Sequence, residues 1–398
     1  MTVLGPADAP LIYVIAGEPS GDLIGASLIR ALRQRTDGHI RFAGIGGEQM
    51  AEEGIRSPIA LSDLAIMGMV EVLPQAFKLL RLVRETADEI DRLAPVALVT
   101  IDSSGFCFRV AEKLHHKPRR PLLIHYVAPM VWAWREHRAR EAARWYDHLL
   151  TLLPFEPPHF VKVGLPTSYV GHPVIEGGAD RGDGPAFRAR HGIVAEVPLL
   201  IALPGSRRSE VRRLLPVFRA TVERLAARFP DLQVVVPTVE TVAATVAAGI
   251  ADWPVRTLLV SGKAEKFDSF AAGNVALAAS GTVSLELALA GLPMVIGYRI
   301  WAVTAWALKF AVKIQYASLV NIILDQPIIP ELLAAKCEPV GLAAEVETLL
   351  TDADARQRQI DGCREALRRI GHGEIAPSLR AADRILELTA ERAASESQ

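Results

Sequence analysis

The sequence predicts an α/β protein of two doubly wound parallel sheets facing each other across a cleft. Three observations carry this reading. Short runs rich in Val, Ile and Leu recur along the 398 residues without polar alternation. Such runs suit strands covered on both faces. Longer helical patterns separate them, and strand–helix repetition implies parallel pairing through crossovers. Half of the residues are hydrophobic, enough to bury large cores, and one Gly- and Asp-rich stretch, "EGGADRGDGP" from Glu176 to Pro185, divides the series in two.

In the first half the candidate strands are Leu11–Ala16, Arg41–Ile45, Val96–Ile101, Leu122–Val127 and Leu149–Leu153. In the second they are Leu199–Leu203, Gln233–Val236, Thr257–Val260, Val275–Ala278 and Met294–Ile296. The expected domains are therefore residues 1–176 and 186–350, with residues 351–398 forming helices, broken at Gly371-His372-Gly373, that pack back on one of them. No repeat of solenoid length appears. In doubly wound sheets ligands sit beyond the carboxyl ends of the strands, so the loops there hold the candidate site.

Composition excludes several classes. Lys and Arg number 44 against 45 Asp and Glu, which argues against a nucleic-acid binder. The cysteines Cys107, Cys337 and Cys363 lie far apart, without zinc or CxxC spacing, and an odd count suits a reduced cytoplasmic protein. The N-terminus shows no signal-peptide pattern. The most apolar long stretch, Asn274–Tyr298, contains Glu286 and three glycines, and reads as strand, loop and helix rather than a bilayer span.

Five segments carry candidate chemistry. In "LIYVIAGEPSGDLIGASLIRAL", a buried strand ends at Gly17-Glu18-Pro19-Ser20-Gly21-Asp22. Gly17 and Gly21 allow a sharp turn and close approach of a ligand, and Ser20 or Asp22 can cap a helix starting near Leu23. Glu18 is needed by neither role. In "LPGSRRSEVRRLLP", Gly205-Ser206 turns and Arg207 stands at a helix mouth, where it can neutralise a diphosphate. Arg208, Arg212 and Arg213 read as a solvated face. In "AASGTVSLELALAGLPMVIGYR", Ser280-Gly281-Thr282 forms a loop and cap, and Glu286 is the one charge on an apolar helix, a carboxylate that could grip the two hydroxyls of a ribose. "ALVTIDSSGFCFRVAEKL" sets Asp102 at a strand end, as a proton acceptor or as a helix cap; the sequence leaves both open. In "HYVAPMVWAWREHRAREAAR", Arg135 and Arg138 share a face that could hold a phosphate or face water.

Two further segments, "MGMVEVLPQAFKLLRLVR" and "RIWAVTAWALKFAVKIQYASLVN", join apolar residues to Lys and Arg. Trp301, Trp306, Phe310, Lys309 and Lys313 suit a membrane interface or a core helix. Asp352-Ala353-Asp354 opens a polar helix and is discounted as a metal motif; no metal or cofactor is expected.

Together these residues resemble the lipid-A-disaccharide synthase family. The resemblance rests on "AGEPSGDLIGASLIRAL", "GIGGEQM", "MGMVEVLP", "HYVAPMVWAWR", "LLPFE", "VGHPV", "LPGSRRSEV", "ASGTVSLELALAGLPMVIGYR" and "SLVNIIL", in order over nearly the whole chain. The chain departs from the family pattern at Pro19, at Met130, at Val320, and at Gly105, where a second Asp of the family's run is lost.

The resemblance implies a GT-B fold, with an acceptor- and membrane-facing first domain and a UDP-sugar-binding second one. It implies an inverting, metal-independent transfer of 2,3-diacylglucosamine from its UDP derivative to 2,3-diacylglucosamine 1-phosphate (lipid X), giving the β-1,6-linked disaccharide 1-phosphate and UDP. The enzyme would be cytoplasmic and peripheral to the inner membrane of a Gram-negative bacterium, and a homodimer is one expected assembly. On this view Asp102 is the base, with Glu18 its rival or a sugar ligand. Arg207 and the helix after Ser280 take up charge on UDP, Glu286 holds ribose, and Asn321 lies near diphosphate or uracil. Arg135 and Arg138 take the acceptor phosphate, and the Met67–Leu82 and Trp301–Phe310 segments guide the acyl chains. Rival readings are a UDP-N-acetylglucosamine 2-epimerase on the same scaffold and a non-catalytic sugar-nucleotide or lipid-binding protein.

Overall fold

The computed structural model describes residues 5–61, 64, 73–133, 136–299 and 315–396. The chain forms two compact units, Met1–Pro173 with Glu374–Gln398, and Val174–Gly373.

In the first unit the chain runs β1 (Leu11–Ala16), α1 (Pro19–Arg35), β2 (Arg41–Ile45), α2 (Glu48–Glu52), α3 (Leu73–Leu93), β3 (Ala97–Ile101), α4 (Ser104–His115), β4 (Leu122–Tyr126), α5 (His137–Trp145), β5 (His148–Thr151), α6 (Pro157–Val161) and β6 (Thr167–Tyr169). The strands make one parallel sheet, ordered β2-β1-β3-β4-β5-β6. β1 is buried throughout because both faces are covered. Ile12, Val14 and Ala16 pack with Leu28, Ile29 and Leu32 of α1, while Leu11, Tyr13 and Ile15 pack with Val83, Ala87 and Ile90 of α3 and with α4.

The second unit runs α7 (Gly184–Arg190), β7 (Leu199–Leu203), α8 (Arg208–Arg228), β8 (Gln233–Thr238), α9 (Glu240–Ile250), β9 (Thr257–Ser261), α10 (Lys263–Ala272), β10 (Val275–Ala278), α11 (Val283–Leu289), β11 (Met294–Tyr298), α12 (Leu319–Leu324), β12 (Glu331–Leu333), α13 (Pro339–Thr351) and α14 (Ala353–Arg369). Its sheet is parallel, ordered β12-β11-β10-β7-β8-β9. The final helix, α15 (Pro377–Glu396), returns to the first unit, where Ala381, Ala382 and Ile385 complete the core over α1 and β1.

The ten candidate strands of the sequence all form, with ends shifted by a residue or two. Two more, β6 and β12, are three-residue edge strands, half-buried and without the apolar run that marks the others. The tail divides, with α14 in the second unit and α15 in the first. The Gly- and Asp-rich run expected as a linker packs against α10: the Asp183 N–H donates to Asp268 at 2.8 Å, and Asp183 caps α7 by accepting from the Ala186 N–H. Among the described residues no helix is long and apolar enough to cross a membrane.

Each sheet has one point where the winding reverses. In the first unit it lies between β1 and β3, in the second between β7 and β10. Ligands of doubly wound sheets bind there, beyond the carboxyl ends. The loops at these points are 17–22 and 102–104 in one unit, and 204–207 and 279–282 in the other.

Candidate active site

The first unit brings its two acids to one switch point. α1 begins at Pro19, earlier than Leu23, with Pro in the first turn where its missing N–H costs nothing. Glu18 is exposed at the cap position, in extended backbone, and makes no side-chain cap. Asp102 follows the last residue of β3 in left-handed backbone at φ 52, with Ser103 next at φ 39. Ser103, not Asp102, occupies the cap position of α4. Burial pushes the Asp102 carboxyl above its ordinary value, and the Ser103 N–H pulls it partly back. A base for an alcohol benefits from such a shift. The two loops touch: a Cβ on Gly17 would lie 2.3 Å from Ser103 Oγ and 2.5 Å from its Cβ. Only the absent side chain of Gly17 lets the Glu18 and Asp102 loops lie together. Both acids also raise the pKa of the buried Cys107 thiol beneath them, after burial itself.

The remaining loop residues support this arrangement. Ser20 is exposed in the first turn of α1, and Gly21 packs its Cα side on the Ile101 carbonyl. Asp22 is 3% exposed and corrects the capping expectation. It caps α2, not α1, accepting from the N–H groups of Gly47 at 2.7 Å, Gln49 at 2.9 Å and Met50 at 3.1 Å. Asp22 therefore ties "GIGGEQM" to the first loop.

Beyond β4, Trp132 Nε1 donates to Glu156 Oε1 at 3.2 Å, and Glu156 Oε2 accepts from the Leu152 and Leu153 N–H groups. Burial pushes Glu156 up to about 7 against these three donors. Arg138 lies 5.2 Å over the Phe108 ring and 3.3 Å from Glu141, so its guanidinium is partly committed within the unit. Arg135 lies outside the described residues. Behind Arg138, His125 contacts Thr100 Oγ1 at 2.8 Å; burial, then the Arg138 charge, lowers it to about 3, so it is a neutral imidazole.

In the second unit, β7 ends at Leu203, Pro204 follows, and Gly205 takes φ 112, which a side chain would resist. Ser206 and Arg207 are exposed, with the Arg207 side chain 78% open to solvent and 3.3 Å from Glu210. Arg207 occupies the cap position of α8 without a side-chain cap, and the N-terminal N–H groups of this 21-residue helix attract an anion. Ser280 Oγ donates to the Ala317 carbonyl at 2.7 Å, fastening the 279–282 loop to the segment before α12. Gly281 and Thr282 are exposed. Glu286 sits in the first turn of α11, paired with Lys266 Nζ at 2.6 Å.

Asn321 is 1% exposed, and its amide is spent on the chain. It donates to the Ile329 carbonyl and Glu331 and accepts from the Ile329 N–H. Glu331 also accepts from the N–H groups of Ala317 and Ser318. Asn321 thus meets the Glu331 carboxylate that holds the 317–318 backbone.

Sequence reasoning did not reach Lys266, Glu331 or Tyr298. Tyr298 ends β11 near Glu210, Arg213 and Arg207, and burial raises its pKa. Each is a pairing distant in sequence and carries no local pattern. The Trp301–Phe310 segment and residues 67–72 lie outside the described residues. Among the described residues no three metal-ligating side chains gather.

Two parallel doubly wound units, each with polar loops at its switch point, define the two-domain Rossmann-like class that includes the GT-B nucleotide-sugar enzymes. Solved structures of similar fold agree. UDP-N-acetylglucosamine 2-epimerase from Neisseria meningitidis bound to UDP-GlcNAc has TM-score 0.62 at 12% identity, covering 96% of this chain and 99% of its own. MurG from Acinetobacter baumannii has TM-score 0.57 at 14% identity, covering 95% and 99%. At these identities the likeness is one of fold.

Sequence narrows the class. The family described as lipid-A-disaccharide synthetase matches residues 12–382. Lipid-A-disaccharide synthase from Rhodospirillum centenum is 52% identical over 98% of this chain and 97% of its own length. That of Paramagnetospirillum magneticum is 52% identical over 95% and 97%. The chain belongs to the lipid-A-disaccharide synthase family.

Proposed function

We propose that the chain is a glycosyltransferase that moves 2,3-diacylglucosamine from its UDP derivative to 2,3-diacylglucosamine 1-phosphate, forming the β-1,6-linked disaccharide 1-phosphate and UDP. The observation that carries the reading is Asp102, a desolvated carboxylate at the first switch point of a chain whose near full-length relatives bear the synthase name. In a single displacement Asp102 takes the proton of the acceptor hydroxyl as the oxygen bonds to the anomeric carbon. The bond to the diphosphate breaks, and the electron pair leaves with UDP. Arg207 and the N-terminus of α8 stabilise that negative charge. The seven-residue α11 contributes less dipole than the longer α8. Glu286 accepts from the ribose hydroxyls. Glu18 is the nearer candidate for a sugar hydroxyl, since it is exposed where Asp102 is half-buried.

Lipid substrates imply work at a membrane surface, and α3 supports that part. Phe77 is 72% and Leu80 53% exposed, and both share a face with Arg81 and Arg84. Apolar and cationic residues on one exposed face suit an anionic bilayer. Replacing Phe77 and Leu80 by Ser should reduce sedimentation with anionic vesicles.

The deciding experiment incubates the protein with both lipid substrates and weighs the products. Disaccharide 1-phosphate and UDP are expected. Conversion of UDP-N-acetylglucosamine alone, with no disaccharide, would favour an epimerase and overturn the reading.

A further inference from the structure

We infer that Lys266 is a positioning residue for nucleotide recognition: it pins the Glu286 carboxylate so that one oxygen is presented to the ribose diol. This rests on the reading above that Glu286 meets ribose, and deepens it by naming what holds Glu286 in place.

The two residues lie on different helices, α10 and α11, and their side chains are both partly buried. Lys266 Nζ donates to Glu286 Oε2 at 2.6 Å. Among the described residues nothing donates to Oε1. A glutamate alone on a short helix samples several rotamers and loses that freedom when a ligand binds. A charge-assisted bond to one oxygen removes the freedom beforehand and fixes the direction of the other.

The lysine is fixed in turn. Its ammonium lies 5.5 Å from the Phe267 ring centroid and 5.6 Å from that of Phe270. Cation–π attraction to these rings of α10 holds the long side chain toward α11. Glu286 itself follows the 279–282 loop of the β7/β10 switch point, where a nucleotide is expected. An exposed surface pair would need neither the rings nor the partial burial.

The test compares UDP with 2′,3′-dideoxy-UDP by calorimetry, so that the ratio of the two affinities reports diol recognition alone. The wild-type protein should prefer UDP by roughly 10- to 100-fold, the range for hydrogen bonds to a charged group. Lys266→Met should reduce that preference at least fivefold, and Lys266→Arg should restore most of it. In a Glu286→Ala background, Lys266→Met should change the ratio no further. On catalysis, Lys266→Met should raise KM for the donor more than it lowers kcat.

If Glu286→Ala keeps the wild-type preference, the assignment of Glu286 to ribose fails. If Glu286→Ala loses the preference while Lys266→Met keeps it, the role of Lys266 is overturned and the assignment of Glu286 stands. Should Lys266→Met fail to fold, as judged by its thermal melt, Lys266→Gln carries the same comparison, and a wild-type ratio there is equally fatal.

Discussion

At the β1/β3 switch point the backbone turns through non-glycine residues in left-handed conformation, Asp102 at φ 52 and Ser103 at φ 39, with Val127 at φ 78 beyond the next strand. At the β7/β10 switch point it turns through Gly205 at φ 112 and Gly281 at φ 151. Left-handed non-glycine residues cost on the order of 1–3 kcal/mol each and persist where the surroundings enforce them. The first unit thus accepts strain to aim a side chain. The second uses glycine to expose backbone N–H groups beside an open arginine. One geometry suits proton transfer, which needs a single carboxylate held and desolvated. The other suits an anion, which needs several donors in reach.

The largest effect should come from the strained side. Asp102→Asn should lower kcat by about 100-fold or more, as expected for loss of a general base, measured by disaccharide release. A larger loss in Glu18→Gln than in Asp102→Asn would exchange their roles. Asp102 also sets a pH limb. Its raised pKa means that activity climbs with pH as the carboxyl ionises, at a pH above the ordinary Asp value. That limb should vanish in Asp102→Asn.

Next comes the open side. Arg207→Ala should weaken UDP binding about 10-fold or more through loss of a charge-assisted contact. Its exposed pair with Glu210 is worth little, so folding stability should barely change. Equal UDP affinity in calorimetry would remove Arg207 from the site.

The join between the two acidic loops gives a smaller, structural effect. Gly17→Ala should cost roughly 1–3 kcal/mol by overpacking against Ser103. A Ser103→Gly replacement in the same chain should recover much of it. Independent, additive losses in denaturant melts would mean that the loops do not press on each other.

The smallest effect concerns Glu156. Its pKa is raised to about 7, so the stability that protonation gives is full below the ordinary carboxylate value and is lost as pH rises through about 7. The melting temperature should fall between about pH 5 and about pH 7 and level off above, and fall less steeply in Glu156→Gln. Parallel slopes would exclude Glu156 as the cause.

Most of the fold was legible because nine of the strands are largely buried on both faces and read as unbroken apolar runs, while β9, a more exposed edge strand, keeps an apolar run of its own. β6 and β12 escaped because an edge strand of three half-buried residues leaves no such run. The switch-point loops were legible from Gly17, Glu18, Gly205 and Arg207, since a turn that mixes glycine with charge is unusual at a strand end. Their internal wiring was not. Asp22 looks like a cap for its own helix, yet its carboxylate reaches the backbone of residues 47–50. Asn321 looks like a ligand group, yet it is consumed by Ile329 and Glu331. Lys266 has nothing around it in sequence that points to Glu286. Such pairings exist only once the sheets have formed, so no local pattern encodes them.

The return of α15 to the first unit has a consequence for biosynthesis. Ala381, Ala382 and Ile385 cover α1 and β1, and Arg35 pairs with Asp383 at 2.7 Å. As the nascent polypeptide emerges from the ribosome, the second unit has all its own strands before the first has its closing helix. The earlier-made half must therefore wait, with an apolar groove uncovered, for the later-made half to be translated. Chaperone demand should concentrate on that interval, and a stop codon placed before residue 377 should leave the opening sheet, not the second unit, prone to aggregate.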